Sequence, residues 1–472
     1  MADSDSKWLR KATDLERMFE IGHQLQMYLT HYTLDLASAK PIEEDFLRRA
    51  LTHLYRKVPV LRVCLRERNS ELWLREMDAC NIDLQVIKEG NLSEERHKLT
   101  KYEYNSKDGP LWCVRLITFK ASTPVNEKFP FDYALVFGAH HSIADGTTYI
   151  KICNLLCNIM NDLMGGLAID DDQQMGELKG EEELLSLYEQ EMARLRENET
   201  LRQEIKRELQ EGSEVRPLIR HICKIPGDLS TSTQDVSTII DQNISKQFHR
   251  KAKSMGVSLH SALTSLINFT LVELLQEQGI IQDRYNIRAG HVIDIRRYYT
   301  RDSSRALGVH GPLFRYKAPF WVPKNMLPVF WETAKEFHKK LHSDISTRKV
   351  LTVTAYRLMT EDINQNFKDI FREDGEPNYY YTITNMGNLA GTLSEGGQYV
   401  STQKLTRFCS LRSGSSFMII FFHTFRDLLN INIAYSTRFL TYEFVHRLLE
   451  LISVHMKSTS DQCLLDSCEG EI

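Results

Sequence analysis

The sequence predicts a mixed α/β protein built from two successive α/β segments with a charged helical stretch between them. Three observations carry this. The apolar run Tyr133 to Gly138 reads as a buried strand and leads into Thr147 to Met164, where Tyr149, Ile152, Cys153, Leu156, Ile159, Met160 and Leu163 recur at helical spacing. After residue 228, strand-like runs (Asp235 to Ile244, Tyr379 to Ile383, Phe417 to Phe422, Leu429 to Tyr435) alternate with helical stripes (Ser258 to Glu277, Trp331 to Arg348, Thr441 to Met456). Residues 165–215 instead hold Asp170-Asp171-Asp172 and a charge-dense span from Glu181 to Glu211. The expected division is therefore 1–165, a charged helical insert or linker over 166–227, and 228–472.

A chain of 472 residues is long enough for two or three domains and a large core. With 42% hydrophobic and 26% charged residues the composition is that of an ordinary globular protein. A net charge of −4 offers no basic excess for a nucleic-acid partner, and none is expected. The start, Met1 to Arg10, is polar and mixed in charge, unlike a signal peptide. Apolar runs such as Phe417 to Phe422 are too short for a transmembrane segment. Nine cysteines at irregular spacing, with no CxxC pair, indicate neither a disulfide framework nor a zinc site. Reduced, mostly buried thiols and a cytoplasmic location are expected.

Within the first segment, a helix around Thr13 to Gly22 precedes the strand-like Met27 to Ala37. Pro41-Ile42-Glu43-Glu44 opens the next helix: proline suits a first turn, and the acids suit the helix dipole. Phe46, Leu47, Ala50, Leu51 and Leu54 follow the helical period until Val58-Pro59-Val60-Leu61-Arg62 ends it. A strand through Cys64 and another over Leu72 to Leu74 make a hairpin. Asp108-Gly109-Pro110 is a turn signal before the strand Cys113 to Phe119. The span from Glu181 carries a weak stripe (Leu184, Leu185, Leu187, Tyr188, Met192, Leu195). This reads as an exposed helical insert, with a coiled-coil partner site as the sharper alternative. The second hairpin strand, Leu429 to Tyr435, alternates as a half-buried strand would. The tail from Lys457 is expected to be loose.

Between the apolar run and its helix lies Ala139-His140-His141-Ser142-Ile143-Ala144-Asp145-Gly146. A strand-to-helix corner presents side chains from a rigid support, and this one presents two histidines, an aspartate and a glycine. The pattern has the form HHxxxDG and resembles the signature of the acyltransferase superfamily built on the chloramphenicol acetyltransferase fold. That superfamily includes condensation domains, alcohol acetyltransferases and phthiocerol dimycocerosyl transferases. Other stretches resemble it in the same order. Leu47 to Arg62 (LRRALTHLYRKVPVLR) is similar to its helix ending in RxPxLR. Gly109-Pro110-Leu111-Trp112 is similar to its GPLW-like turn, with His140 falling 30 residues after Pro110. His291 to Arg297, read as a strand ending in two arginines and followed by the loop Leu307 to Pro312, is similar to its arginine strand and LGN turn, although the Asn-Phe of that turn is missing. Thr384-Asn385-Met386-Gly387 is similar to its SNxG segment. The resemblance spans about residues 10–456 apart from the charged insert.

The resemblance implies two chloramphenicol acetyltransferase-like subdomains, mixed sheets flanked by helices, with the active site in a tunnel between them. It implies His141 as the general base and a structural role for His140. Asp145 would turn away from the chemistry and pair with an arginine of the second half, Arg296 or, failing that, Arg297. The Gly146 N–H, at the positive end of its helix, is a candidate oxyanion donor. Asn385 is a candidate for lining the site; an asparagine in a turn is the plainer alternative. Zinc held by the two histidines and Asp145 is the weaker reading, because adjacent histidines rarely converge on one ion; no metal is expected.

The implied activity is acyl-CoA-dependent O-acyl transfer to an alcohol, with acetyl as one candidate acyl group, acyl-CoA as co-substrate and no cofactor. No adenylation- or carrier-type segment flanks the corner, which favours diffusible CoA thioesters. The late DFGWG of plant BAHD enzymes is absent, which favours the alcohol-acetyltransferase branch. Amide formation on an amine acceptor, as in condensation domains, and a catalytically inactive binding relative stay open at this point. A monomer is expected.

Overall fold

The computed structural model describes residues 7–119, 127–178, 181–214, 216–222, 232–300, 302–313, 316–371, 377–411 and 416–461. The expected start of the second half near residue 228, Cys463 and Cys468, and most of the tail lie outside them. The chain forms two compact units that are interleaved in sequence. One comprises residues 1–185, 294–313 and 388–410; the other comprises 186–293, 314–387 and 411–472. Its divisions therefore do not fall at 165 and 227, and two pieces of the C-terminal half belong with the first unit.

The first unit is organised on a five-stranded sheet. Thr30–Ser38 and Phe131–Ala139 lie side by side at its centre and pair antiparallel along their whole length, from Thr30 opposite Ala139 to Ser38 opposite Phe131. Trp112–Thr118 and then Asp83–Ile87 extend one side. On the other side Val400–Cys409 pairs antiparallel with Thr30–Ser38, with one register shift near Thr402. That pairing ties residues 388–410 to this unit. The helix Gly146–Met164 contributes the predicted stripe of buried residues, Tyr149, Ile152, Cys153, Leu156 and Met160 among them. The helix Glu44–Lys57 buries Leu47, Ala50, Leu51 and Leu54, the predicted apolar positions. The expected hairpin is present as Val63–Arg68 and Glu71–Glu76, turning at Asn69 and Ser70 with φ of +54° and +63°.

The second unit holds a six-stranded mixed sheet. From one edge to the other it runs Tyr316–Pro323, Arg284–His291, Tyr379–Asn388, Ser416–Phe425, Leu428–Ser436 and Thr233–Ile239. The expected pairing of the two C-terminal strands is observed, with Met418 opposite Tyr435 and Phe422 opposite Ile431. Leu428–Ser436 is not half-buried, however: Asn430 and Asn432 are buried too. Packing covers both faces, and Asn430 Nδ2 satisfies itself on the Leu428 carbonyl at 2.9 Å. The helix Leu259–Glu277 is buried on nearly every side, and Tyr442–Asp461 closes the chain. The last turns of that helix are fixed where a loose tail was expected, because Trp331 Nε1 donates to the Thr459 carbonyl at 3.1 Å.

The charged insert forms the helices Glu181–Glu197 and Glu199–Glu214. Its apolar stripe has a partner inside the chain. Leu195 and Ile205, fully buried, pack with Ala355 and Tyr356 of the helix Lys349–Thr360. Buried Thr352 Oγ1 donates to Glu191 Oε2 at 2.7 Å, and Lys349 pairs with Glu208. Met192 and Leu195 of the stripe are thus spent on an internal contact, whereas Leu185 is 48% exposed.

Candidate active site

Three sequence motifs far apart in the chain converge beneath the corner. Trp112, buried, donates its indole N–H to the Leu61 carbonyl at 3.0 Å and stacks on Phe137 with ring centroids 5.7 Å apart. The His140 N–H donates to the Leu111 carbonyl at 2.8 Å. The end of the RxPxLR helix, the GPLW turn and the last turn of the histidine strand are thus one hydrogen-bonded assembly. Gly109 is required where it stands: its φ is +74°, and a Cβ there would lie 2.6 Å from Met77 Sδ.

His140 is almost completely buried, 1% exposed, and faces the interior. The Ser142 N–H donates to its Nδ1 at 3.2 Å, and Ser142 Oγ lies 2.7 Å from the same nitrogen. Its Nε2 lies 3.1 Å from Glu20 Oε2. Glu20, on the helix Asp14–Gln24, also accepts from Ser106 Oγ at 2.8 Å and Gln24 Nε2 at 3.0 Å. Burial opposes ionisation of this carboxyl, but the bond to His140 and its nearness outweigh that and hold it at about 2. His140 is a structural member of the corner, and Glu20 is its partner.

His141 is half-buried. Its Nδ1 lies 3.0 Å from the Ala144 carbonyl, an acceptor only. Nδ1 therefore carries the proton and Nε2 is the basic nitrogen. The ring lies flat on Phe19, with centroids 4.0 Å apart and planes 11° apart.

Asp145 caps the helix Gly146–Met164, accepting the Thr148 N–H at 2.9 Å. Its carboxylate takes two bonds from Arg296, Nη1 to Oδ2 at 2.7 Å and Nη2 to Oδ1 at 3.3 Å, and a third from the His310 N–H at 3.1 Å. Burial would raise this carboxyl; the Arg296 charge and its hydrogen bonds prevail and hold it at about 2, against an ordinary 3.8. Arg296 Nε also donates to the Ala306 carbonyl at 3.2 Å, and Nη2 to Thr148 Oγ1 at 3.2 Å. The Asp145 N–H and Thr148 Oγ1 both donate to the Gly308 carbonyl, at 3.1 and 2.9 Å. Asp145 thus latches residues 294–313 onto the first unit.

Of the two arginines, Arg296 is the partner; Arg297 is exposed, its Nε on the Asp294 carbonyl at 3.1 Å. Arg296 does not sit on a strand. The strand ends at His291, and Asp294 accepts the Arg296 N–H at 3.0 Å to start the short 3-10 turn Ile295–Tyr298. Gly146 is the first residue of its helix, so its N–H is among those a helix leaves without an internal acceptor. Asn385 belongs to the second unit, where it lies within the strand Tyr379–Asn388 and its Oδ1 accepts the Gly387 N–H at 2.8 Å. The structure thus gathers His140, His141, Asp145, Gly146 and Arg296 on one unit.

The weighed zinc set does not form around Asp145, which is committed to Arg296. A different trio, Glu20, His23 and His140, brings one ligand atom each within 4.8 Å. The Tyr104 N–H donates to His23 Nε2 at 3.0 Å, as the Ser142 N–H does to His140 Nδ1. Each ring's backbone-bonded nitrogen is thereby occupied, so only His23 Nδ1 and His140 Nε2 could serve as ligands beside Glu20. Burial, then the neighbouring His140, lowers the His23 pKa to about 4. A cleft of about 270 Å³ lined by Lys151, Asn154, Asn158, Met175 and Arg305 includes neither histidine of the corner.

The chain matches no protein-family model and no curated protein sequence. Among solved structures it is similar to the TRI3 trichothecene 15-O-acetyltransferase from Fusarium sporotrichioides, with 13% identity, a TM-score of 0.70 and 97% of each chain covered. The condensation domain of the Monacolin K polyketide synthase MokA matches at 10% identity and a TM-score of 0.65, over 96% of this chain and 98% of that domain. Its fold is that of these acyltransferases and condensation domains. The acyltransferase fold also serves the epimerization domain of tyrocidine synthetase B, similar at 11% identity and a TM-score of 0.67, over 98% of this chain and 100% of that domain. One fold therefore carries several reactions, and the chemistry must be argued from the corner itself. No single described helix is long and apolar enough to cross a membrane. A pair broken by 110°, Gln242–Ser254 with Leu259–Glu277, reaches the length and composition together, and its second helix is core.

Proposed function

We propose that the protein is an acyltransferase that moves an acyl group from a CoA thioester to an alcohol, with His141 as general base. The observation that supports this is the 3.0 Å contact of His141 Nδ1 with the Ala144 carbonyl: a carbonyl only accepts, so the proton belongs on Nδ1 and Nε2 is the proton acceptor. In the reaction, Nε2 takes the acceptor's hydroxyl proton as its oxygen bonds to the thioester carbonyl carbon. The carbonyl π pair moves onto oxygen, and the Gly146 N–H at the start of its helix is the candidate donor to that oxyanion. Collapse re-forms the carbonyl and breaks the C–S bond, and the imidazolium returns the proton to the departing thiolate. Asp145 stays out of this cycle, because its carboxylate is committed to Arg296, Thr148 and His310.

Turnover of a panel of acyl-CoAs with alcohols and amines, by native protein and by His141→Ala, tests the proposal. Ester formation that falls about 10²–10⁴-fold in the variant is expected. Products formed only with amines would replace the alcohol by an amine acceptor and leave the role of His141 standing. No product from any pair would favour a binding relative.

A further inference from the structure

The helix Asp14–Gln24 places two adjacent side chains against the two histidines. Phe19, 6% exposed, covers one face of the His141 ring, and is itself held edge-on by Tyr28 with centroids 5.6 Å apart. Glu20, 8% exposed, places Oε2 3.1 Å from His140 Nε2. A buried carboxylate is costly unless it is hydrogen-bonded or paired; here Ser106 and Gln24 donate to it and the His140 ring lies within ion-pair distance. A leucine at position 20 would fill the same space without that cost, so the carboxylate needs a reason.

We propose that Phe19 and Glu20 are positioning residues for His141: Phe19 sets its ring plane, and Glu20, acting through His140, holds the turn that fixes its tautomer. This rests on the reading of His141 as the base. The chain of contacts is continuous. Glu20 holds His140 Nε2, and the opposite nitrogen of that ring accepts the Ser142 N–H. The Ile143 N–H returns to the His140 carbonyl at 3.1 Å, which closes the turn carrying Ala144. The Ala144 carbonyl receives His141 Nδ1. Removing the anchor on His140 frees its ring to rotate, loosens residues 140–144 and lengthens the bond that keeps the proton on Nδ1. Glutamine at position 20 keeps an acceptor oxygen for His140 and Ser106, while Gln24 turns its own oxygen toward the new amide. It should therefore restore the arrangement.

The test reads the proton rather than turnover. Histidine-selective ¹⁵N labelling of the full chain, with long-range ¹H–¹⁵N correlation, reports which ring nitrogen is protonated; His140→Gln and His141→Gln assign the signals. Native protein should show His141 as the Nδ1–H tautomer. Glu20→Leu should convert it to a mixture, Glu20→Gln should return it to the native pattern, and Phe19→Leu should mix it independently. Where a thioester substrate is in hand, Glu20→Leu should lower kcat about 10–100-fold with KM unchanged. A native His141 that is not Nδ1–H, a single unchanged tautomer in both leucine variants, or a glutamine variant that behaves like the leucine one would overturn the proposal. If Glu20→Leu does not fold, Phe19→Leu and Glu20→Gln decide. Because the readout needs no substrate, failure of the acyltransferase reading would show as absent turnover with the tautomer pattern intact.

Discussion

Replacing Arg296 by methionine removes the cation from Asp145 and leaves the rest of the latch in place. Arg296 is 7% exposed on its side chain and Asp145 is 18% exposed, so the pair is largely shielded from solvent screening. The Asp145 carboxyl drops from 3.8 to about 2, which corresponds to roughly 2–3 kcal/mol of favourable interaction with the charged form. Deleting one partner of such a pair costs more than the net interaction, about 3–5 kcal/mol, because a buried charge is left behind. Asp294, 3.2 Å from Arg296, would be uncompensated as well. The assay is guanidinium chloride unfolding of native protein, Arg296→Met, Asp145→Asn and the double variant. Fluorescence and circular dichroism should both be followed, because a chain with two compact units need not unfold in one step. The expected coupling between the two sites is about 2 kcal/mol, with the double variant less destabilised than the sum of the singles. Strict additivity, or a cost for Arg296→Met below about 1 kcal/mol, would refute the latch as a structural element.

The same pair predicts a pH dependence. The folded carboxyl titrates below the unfolded one, so the latch's contribution is complete above the ordinary value of 3.8 and is lost as pH falls through it toward about 2. Native protein should lose more stability than Asp145→Asn between pH 5 and pH 2.5, measured by thermal unfolding. Trp112→Phe removes the indole bond to the Leu61 carbonyl and leaves that carbonyl unpaired; a loss of about 1–3 kcal/mol is expected from denaturant midpoints. Leu195→Ala in the insert should cost about 2–5 kcal/mol and expose the Glu181–Glu197 helix to amide exchange, because Leu195 is fully buried among Ile205, Ala355 and Tyr356. A surface-helix cost of a few tenths would contradict that packing.

The sequence made the corner and its supports legible because each has a local cause. HHxxxDG sits where a continuous apolar run gives way to a helical period, and the GPLW turn and RxPxLR helix end carry their own breakers. The resemblance points Asp145 to Arg296, but Arg296 lies on a 3-10 turn rather than the expected strand: the side-chain cap from Asp294 competes with the strand and wins. The helix over Thr13 to Gly22 was legible too, since Thr13 and Glu16 form a capping box. What that helix does was not, because Phe19 and Glu20 meet residues 140 and 141 through folding rather than spacing. One signal was present: Glu16, Glu20 and His23 put charge at inward spacing, and the structure gives the first two the partners such burial demands, Arg10 and His140. The interleaving of the two units was equally hidden. Nothing in Val400–Cys409 announces that it will pair with Thr30–Ser38 rather than with the strand that follows it.

The measurement closest to the central claim is the rate of acyl transfer at saturating thioester, compared between native protein and His141→Gln, a variant that retains hydrogen bonding but takes up no proton near neutral pH. If His141 is the base, the rate falls about 10²–10⁴-fold with folded structure and KM preserved. A variant that transfers acyl groups at the native rate would contradict that role.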